Sequence, residues 1–409
     1  MTARSDNDRL AADRGVGSRW VLVTLCVTEI TSWGVLYYAF SVLSGQICAD
    51  TGWSPPAVTG AFSAGLVISA LAGIAVGRWL DRYGPRWIMT AGSVLGALSV
   101  VAVALAPNFG WFVAAWIAAG FAMSAALYPP AFAALTRYFA PNAVPALTAL
   151  TLAAGLSSTV FAPLTAALDS HLGWRDTFLV LAGVLAVVTI PAHFFGLRRP
   201  WPRIEHHHHA VEHPTRTARS LPFIALTASF ALTALASYAV IVNLVPLMTQ
   251  RGVSTGAAAV TLGLGGAAQV LGRFGYQTMV RRIGVVPRSV IVMAAVAVTT
   301  TLLGVVTSLA ALVAVVFAAG MARGVMTLLQ ATAVTERWGT THYGRLSGIL
   351  AAPVMVATAV GPFVGAALAS LLDGYAAMFI ALGAVATAAA AMATATRARA
   401  LSTAAQSAH

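Results

Sequence analysis

Residues 56–106 read PAVTGAFSAGLVISALAGIAVGRWLDRYGPRWIMTAGSVLGALSVVAVALA. Two apolar runs, 56–78 and 87–106, flank the charged decapeptide Gly77-Arg78-Trp79-Leu80-Asp81-Arg82-Tyr83-Gly84-Pro85-Arg86. Each run is long enough to cross a bilayer, which takes about 20 apolar residues in a helix. The decapeptide between them reads as a tight turn at the membrane surface, where glycine permits sharp reversal and close helix approach.

The same alternation continues in both directions. Twelve apolar runs emerge, at roughly 19–46, 56–78, 87–106, 109–137, 143–168, 174–197, 221–250, 254–280, 288–307, 309–337, 343–371 and 375–397. The chain is 59% hydrophobic and only 9% charged, against the ~25% charge of a soluble domain. Water could not solvate such a surface at this length; lipid can. Prolines inside the runs, such as Pro163, Pro191, Pro353 and Pro362, are tolerated because neighbouring helices satisfy the freed backbone groups.

Arginine alone supplies the basic charge behind the net +12, since the 409 residues contain no lysine. The arginines lie in alternate gaps between runs. One set comprises Arg4 to Arg19, Arg78, Arg82, Arg86, Arg137, the group Arg198 to Arg219, Arg281, Arg282, Arg288, Arg337, Arg345, Arg397 and Arg399. The opposite gaps hold only Arg175 and Arg251. Under the positive-inside rule this places both termini in the cytoplasm of a cell, with the chain in its inner (plasma) membrane. The arginines are not interleaved with aromatics on one polar patch, so no nucleic acid is expected as a partner. Without lysine there can be no phosphate loop of the Walker type, which excludes ATP-driven pumping within the chain. No zinc-protease His-Glu pair or nucleophile elbow falls on a span, and no enzyme activity is expected. Cys26 and Cys48 fall near opposite ends of the first run, too far apart for a disulfide. Segment 1–18 is polar and leads into a run too long for a signal peptide.

The organisation is a cytoplasmic tail 1–18, a six-helix bundle 19–197, a His/Arg-rich linker 198–220, a second six-helix bundle 221–397 and a tail 398–409. The halves repeat weakly at an offset near 200: Phe161-Ala162-Pro163 matches Val360-Gly361-Pro362, and Gly173-Trp174 with Phe178 matches Gly374-Tyr375 with Phe379. The linker run His206–His209, with His213, reads as a solvated segment, with loose metal binding the alternative; no bound metal or cofactor is expected.

The decapeptide resembles the loop signature of the major facilitator superfamily: a Gly (Gly77), Asp-Arg four and five residues on (Asp81, Arg82), then Gly84 and a basic residue, Arg86. Asp81 can pair with arginines and face a helix N-terminus, forming a latch that locks one conformer. The second half holds a decayed copy, Gly272-Arg273 through Arg281-Arg282-Ile283-Gly284, without an acid. Residues 138–183 narrow the resemblance. Tyr138-Phe139, Ala154-Gly155-Leu156-Ser157-Ser158, Phe161-Ala162-Pro163 and Gly173-Trp174-Arg175, together with Tyr37-Tyr38-Ala39-Phe40, are similar to the monocarboxylate transporter and oxalate/formate antiporter group. The resemblance implies an all-α membrane protein, twelve transmembrane helices in two pseudo-symmetric six-helix bundles with a site between them at the midplane. It also implies transport of small organic anions, often with a proton.

By the same resemblance Arg273 matches the family's carboxylate-binding arginine, Gln269 the polar residue one turn before it, and Tyr128 the fourth-helix tyrosine. Two departures stand out: Ser41-Val42 occupies the place of a first-helix lysine, and the eleventh-helix lysine is missing.

Charges inside a span cost about 2.5–3.5 kcal/mol each on insertion scales and so point to function. Glu29, Arg273 and Arg323 qualify. Arg273 reads either as a guanidinium fork on a carboxylate or as an arginine snorkelling to the headgroups. Arg323 reads as substrate-binding or as half of a structural ion pair. Glu29 reads as a proton carrier, or as the partner of Arg323. Tyr37, Tyr38, Asn243 and Gln330 are weaker candidates for the same cavity, Tyr37 and Asn243 as substrate contacts. The expected partners are a small organic anion, protons or a counter-ion, and the lipid bilayer, with the chain a monomer. A proton-antiport exporter of a hydrophobic drug or metabolite is the competing reading.

Overall fold

The computed structural model describes residues 19–139, 144–201, 217–338 and 343–396. The tails, and the linker segment 202–216 with His206–His209 and His213, lie outside the described residues. Among the described residues the chain is helical throughout. The long helices are α1 (Arg19–Thr51), α2 (Pro55–Tyr83), α3 (Pro85–Ala104), α4 (Phe109–Tyr138), α7 (Leu221–Gln250), α8 (Thr255–Phe274), α9 (Val285–Val305), α10 (Leu309–Thr332), α11 (Tyr343–Leu371) and α12 (Tyr375–Ala393). Between α4 and α7 an apolar helical stretch covers 52 residues, Pro145–Gly196, with a single turn residue at Leu156. Such a rod would measure about 78 Å, far more than the ~30 Å of hydrocarbon. It is two crossings: Gly173 sits at φ 76°, ψ 167° and folds the ladder back on itself. We treat 144–172 as α5 and 174–196 as α6, which gives twelve crossings.

Capping fixes the helix starts on the side away from the linker. Ser54 accepts from the Ala57 amide at 3.4 Å, Asn108 from Trp111 at 2.9 Å, Ser254 from Ala257 at 3.3 Å and Ser308 from Ala311 at 3.4 Å. Each such cap contributes about 1 kcal/mol. The pairs 54/254 and 108/308 stand 200 residues apart. The helix crossings repeat with the same offset. A β-carbon at Gly120 would strike the Gly65 carbonyl, and one at Gly320 would strike the Gly265 carbonyl. Small residues at these points let α2 lie backbone-to-backbone on α4, and α8 on α10, as is usual where helices meet in lipid.

Two seams join the first six helices to the last six. On one, the Phe363 amide of α11 donates to Ser63 Oγ of α2 at 3.1 Å. On the other, Thr159 Oγ1 of α5 donates to the Gly263 carbonyl of α8 at 2.8 Å. Position 63 and position 263 are again 200 apart.

Several boundaries differ from the hydropathy reading. The first span runs to Thr51, five residues beyond 46, because Gly52 at φ 73° is the first residue free to leave the helix. The eighth span is not continuous over 254–280. It ends at Phe274, and Tyr276–Arg282 is a separate short helix along the linker side. The tenth ends at Thr332, with Thr335–Trp338 a further short helix. The decapeptide is not a loop: α2 continues through Tyr83, and Gly84 alone (φ 79°) ends α2 and starts α3.

The second half's linker side contains the acid that the decayed motif lacks. Arg288, 2% exposed, pairs with Glu336 from the end of the α10 region. Beside it Arg337 donates to Ser289 Oγ at 2.8 Å and to Thr396 Oγ1 at 3.2 Å, and burial pushes its guanidinium down to about 10. In the first half, stacking takes the place of this network. Arg86 donates to the Phe194 carbonyl at 2.9 Å and lies 4.3 Å over the Phe194 ring; Arg137 lies 4.4 Å over Trp201.

Candidate functional site

At its middle α1 changes its winding. Residues Gly34–Tyr38 form a π-helical turn, with the Ala39 amide reaching back to the Gly34 carbonyl. Such turns recur at functional positions in helices. Gly34 is also where α1 crosses α5, since a β-carbon there would strike the Phe161 ring. Around this turn the first half builds an aromatic wall. Trp33 stands 5.4 Å from Tyr37 and 5.1 Å from Tyr128, and Tyr128 stacks on Phe132 at 5.0 Å. The helix break that presents Tyr128 comes from Leu127, at φ −102° and ψ −164°, followed by Pro129 and Pro130. Tyr37 meets Tyr238 of α7 at 6.2 Å, so the wall closes across the two halves.

Glu29 lies one turn before Trp33 and is fully buried. Neither carboxylate oxygen has a hydrogen-bond partner. Trp33 Nε1 approaches Glu29 without reaching good hydrogen-bond geometry. Desolvating a charge without a partner costs several kcal/mol, which points to function at such a group. Glu29 is not the ion-pair partner of Arg323. Arg323 Nε instead donates to Gln269 Oε1 of α8 at 3.2 Å. Both residues are half-buried, and Arg323 borders a small apolar pocket lined by Val240, Leu244, Leu262 and Val316.

Arg273 occupies the last turn of α8 and is 7% exposed. It does not snorkel to the membrane surface with Arg281 and Arg282. Its Nε and Nη1 have no hydrogen-bond partner among the described residues. Gly155 of α5 faces it across the seam: a β-carbon there would lie 4.0 Å from Nη1, an ordinary contact, and 3.1 Å from Val270, a tight one. Tyr128 lies within electrostatic reach of both Glu29 and Arg273, and Arg273 within reach of Arg323 and Tyr38.

The structure therefore brings Glu29, Tyr37, Tyr128, Gln269, Arg273 and Arg323 around one centre. It sets Asn243 apart. That residue is buried at 1% and directs its amide at the Ala239 carbonyl (2.9 Å) and the Pro362 carbonyl of α11 (3.4 Å), bracing α7 against α11. Trp33, Tyr38 and Tyr238 join the centre although the site reading did not single out Trp33 or Tyr238. Helical spacing from Glu29 could have found Trp33, four residues on. Gly77, Arg82, Gly84 and Arg86, expected from the sequence to form a latch, lie at the linker side, around the junction of α2 and α3. Gly84 is covered by Trp201, whose ring atoms come within 3.3 Å of where a β-carbon would sit. Arg82 lies 5.4 Å over Tyr83. The side chain of Asp81 is outside the described residues.

A bundle of twelve crossings with charged and aromatic side chains converging between its halves is the build of a membrane transporter. The family model of the Major Facilitator Superfamily matches residues 22–303, and the chain belongs to that superfamily, whose members are transporters and not enzymes. Among curated relatives, the chain is 28% identical over 136 residues to the uncharacterized MFS-type transporter YcxA of Bacillus subtilis (strain 168), covering 33% of each chain. It is 26% identical over 209 residues to the multidrug transporter MdfA of Shigella boydii serotype 4 (strain Sb227), 48% of this chain and 47% of that one. The chain thus spans a third to a half of the length of these relatives. Its fold matches a bacterial homolog of the human lysosomal transporter Spinster, solved inward-facing and occupied, with a TM-score of 0.76 at 16% identity over 93% of this chain and 97% of that one.

Proposed function

We propose that this protein is a secondary active transporter of a small organic anion, monocarboxylate-like in its charged group and coupled to protons or to a counter-ion. The observation that carries this reading is Arg273: a buried guanidinium whose Nε and Nη1 have no hydrogen-bond partner among the described residues, at the seam between α5 and α8. A guanidinium grips a carboxylate through two parallel N–H bonds. Gln269, one turn earlier, orients Arg323 beside it, and Tyr128 supplies a hydroxyl at the same centre. Glu29 is the coupling group, charged or protonated as the site turns over. Rocking of the halves about the seams would expose the site to each face in turn. The latch residues Gly77, Asp81, Arg82, Gly84 and Arg86 would hold one end closed. On the arginine bias between the two faces, we place the chain in the cell's inner membrane with both termini cytoplasmic; we also take it to act as a monomer.

In proteoliposomes, Arg273→Gln should lower carboxylate uptake by about 2 kcal/mol of binding or more, roughly thirtyfold. Unchanged uptake of every carboxylate tested would remove Arg273 from the site. A second reading, export of a hydrophobic drug by proton antiport, is supported by the likeness to a multidrug transporter and by the apolar pocket beside Arg323. It predicts that Glu29→Gln abolishes drug resistance in cells while Arg273→Gln leaves it intact.

A further inference from the structure

Two ionisable groups of opposite sign approach the centre from different halves and do not meet. Glu29 comes from α1 with both oxygens unpartnered; Arg273 comes from α8 with Nε and Nη1 unpartnered. Tyr128 is within electrostatic reach of both. Among the described residues neither takes part in an ion pair. A transporter built for a plain carboxylate needs only the arginine. Here the acid end is furnished as well. Trp33 and Tyr128 stand 5.1 Å apart with their planes inclined at 49°, beside and one turn from the carboxylate. A carboxylate with two tilted aromatic faces is the arrangement that receives an ammonium group, by ion pairing and by attraction to the ring faces. At the other end, the fork of Arg273 receives a carboxylate.

We infer that the central site takes a zwitterion, a carboxylate that also carries an ammonium group, its cationic end on Glu29 beside the Trp33–Tyr128 pair and its carboxylate on Arg273. The inference rests on the reading of Arg273 given above and adds the second charge. The two groups lie beyond ion-pair distance of each other, so one molecule carrying both charges can bridge them, and a series of chain lengths reads out the spacing. Binding such a molecule neutralises both buried charges in one event. Empty return then requires a proton on Glu29, which couples the substrate to a proton moving the other way.

The test compares matched pairs on the full-length protein purified into nanodiscs. The probes are 4-aminobutyrate, 5-aminopentanoate and 6-aminohexanoate, each against butyrate, pentanoate or hexanoate, with Kd read by calorimetry. For the best-fitting length the amino compound should bind roughly tenfold tighter than its partner. Glu29→Gln should bring the two within about twofold of each other. Trp33→Leu, which leaves the acid in place, should weaken the amino compound alone. Arg273→Gln should weaken both members equally. The inference is overturned if the plain carboxylates bind as tightly as the amino compounds in the unaltered protein, or if Glu29→Gln weakens both members alike. If neither member of any pair binds, and Arg273→Gln changes nothing, the anion reading itself falls and this inference falls with it.

Discussion

Where the first half carries Glu29, the second half carries Ser229, and the contrast runs through the whole centre. Both residues are fully buried, 200 positions apart. Ser229 Oγ donates to the Ala225 carbonyl at 2.7 Å within its own helix, and Thr233, the counterpart of Trp33, donates to the Ser229 carbonyl at 2.7 Å. The second half's copy is self-satisfied; the first half's copy is not. The arginines show the reverse. Arg273 and Arg323 have Gly73 and Met123 as their counterparts. A duplicated scaffold thus keeps its caps and crossings at matched positions, while the buried charges at the centre are divided, the acid on one side and the guanidinium groups on the other.

The comparison is sharpest at the linker side. There the second half relies on a buried ion pair and the first on stacked rings. Glu336→Gln should leave Arg288 buried without its counter-charge and cost about 3–5 kcal/mol, read as a large drop in the thermal midpoint in detergent. A drop no larger than that of an exposed pair would show that Arg288 reaches solvent when Glu336 is lost. Next in size are the crossings. Gly120→Val and Gly320→Val should each cost roughly 1–3 kcal/mol or more through overpacking, and by similar amounts. Unequal penalties would mean that the two crossings, matched in geometry, are not matched in tolerance. Asn108→Ala and Ser308→Ala should each cost about 1 kcal/mol. The smallest effect belongs to the exposed pair of Asp50 with Arg175, whose side chains are 52% and 41% exposed. Asp50→Asn should shift the midpoint slightly, and less at high salt. Its counterpart, Gln250, accepts from the Tyr375 amide at 3.3 Å without any charge, so Gln250→Ala should show no salt dependence.

Much of this scaffold is legible in the chain. Lipid demands long apolar helices, and the runs announce themselves by length and by the arginines between them. The break at Gly173 is readable too, because the apolar run on either side already has the length of a crossing. Contacts between side chains are another matter. That Glu336 would answer Arg288, 48 residues away, follows from how α9 and α10 pack, which no local pattern records. The same holds for Trp201 returning to cover Gly84. Helices apolar all round do not reveal which face turns inward. The sequence therefore marks Glu29 and Arg273 as costly without telling whether they pair, and it cannot separate Asn243, which braces two helices, from Tyr128, which faces the centre.

The wide turn of α1 has one last implication, which concerns counting. Along an α-helix, a side chain four residues on lies on the same stripe, and Glu29 and Trp33 obey that rule. Across Gly34–Tyr38 the step becomes five, and the stripe widens there: Trp33 touches Tyr37 at 5.4 Å, and Tyr37 touches Tyr38 at 5.4 Å. The helix carries one residue more than its path requires. Removing a single residue from this turn would let it close to an ordinary α-helical turn with the two ends of the rod nearly in place. The extra residue acts as a spacer, fitting two consecutive tyrosines, Tyr37 and Tyr38, into an arc where a regular turn would hold one fewer residue.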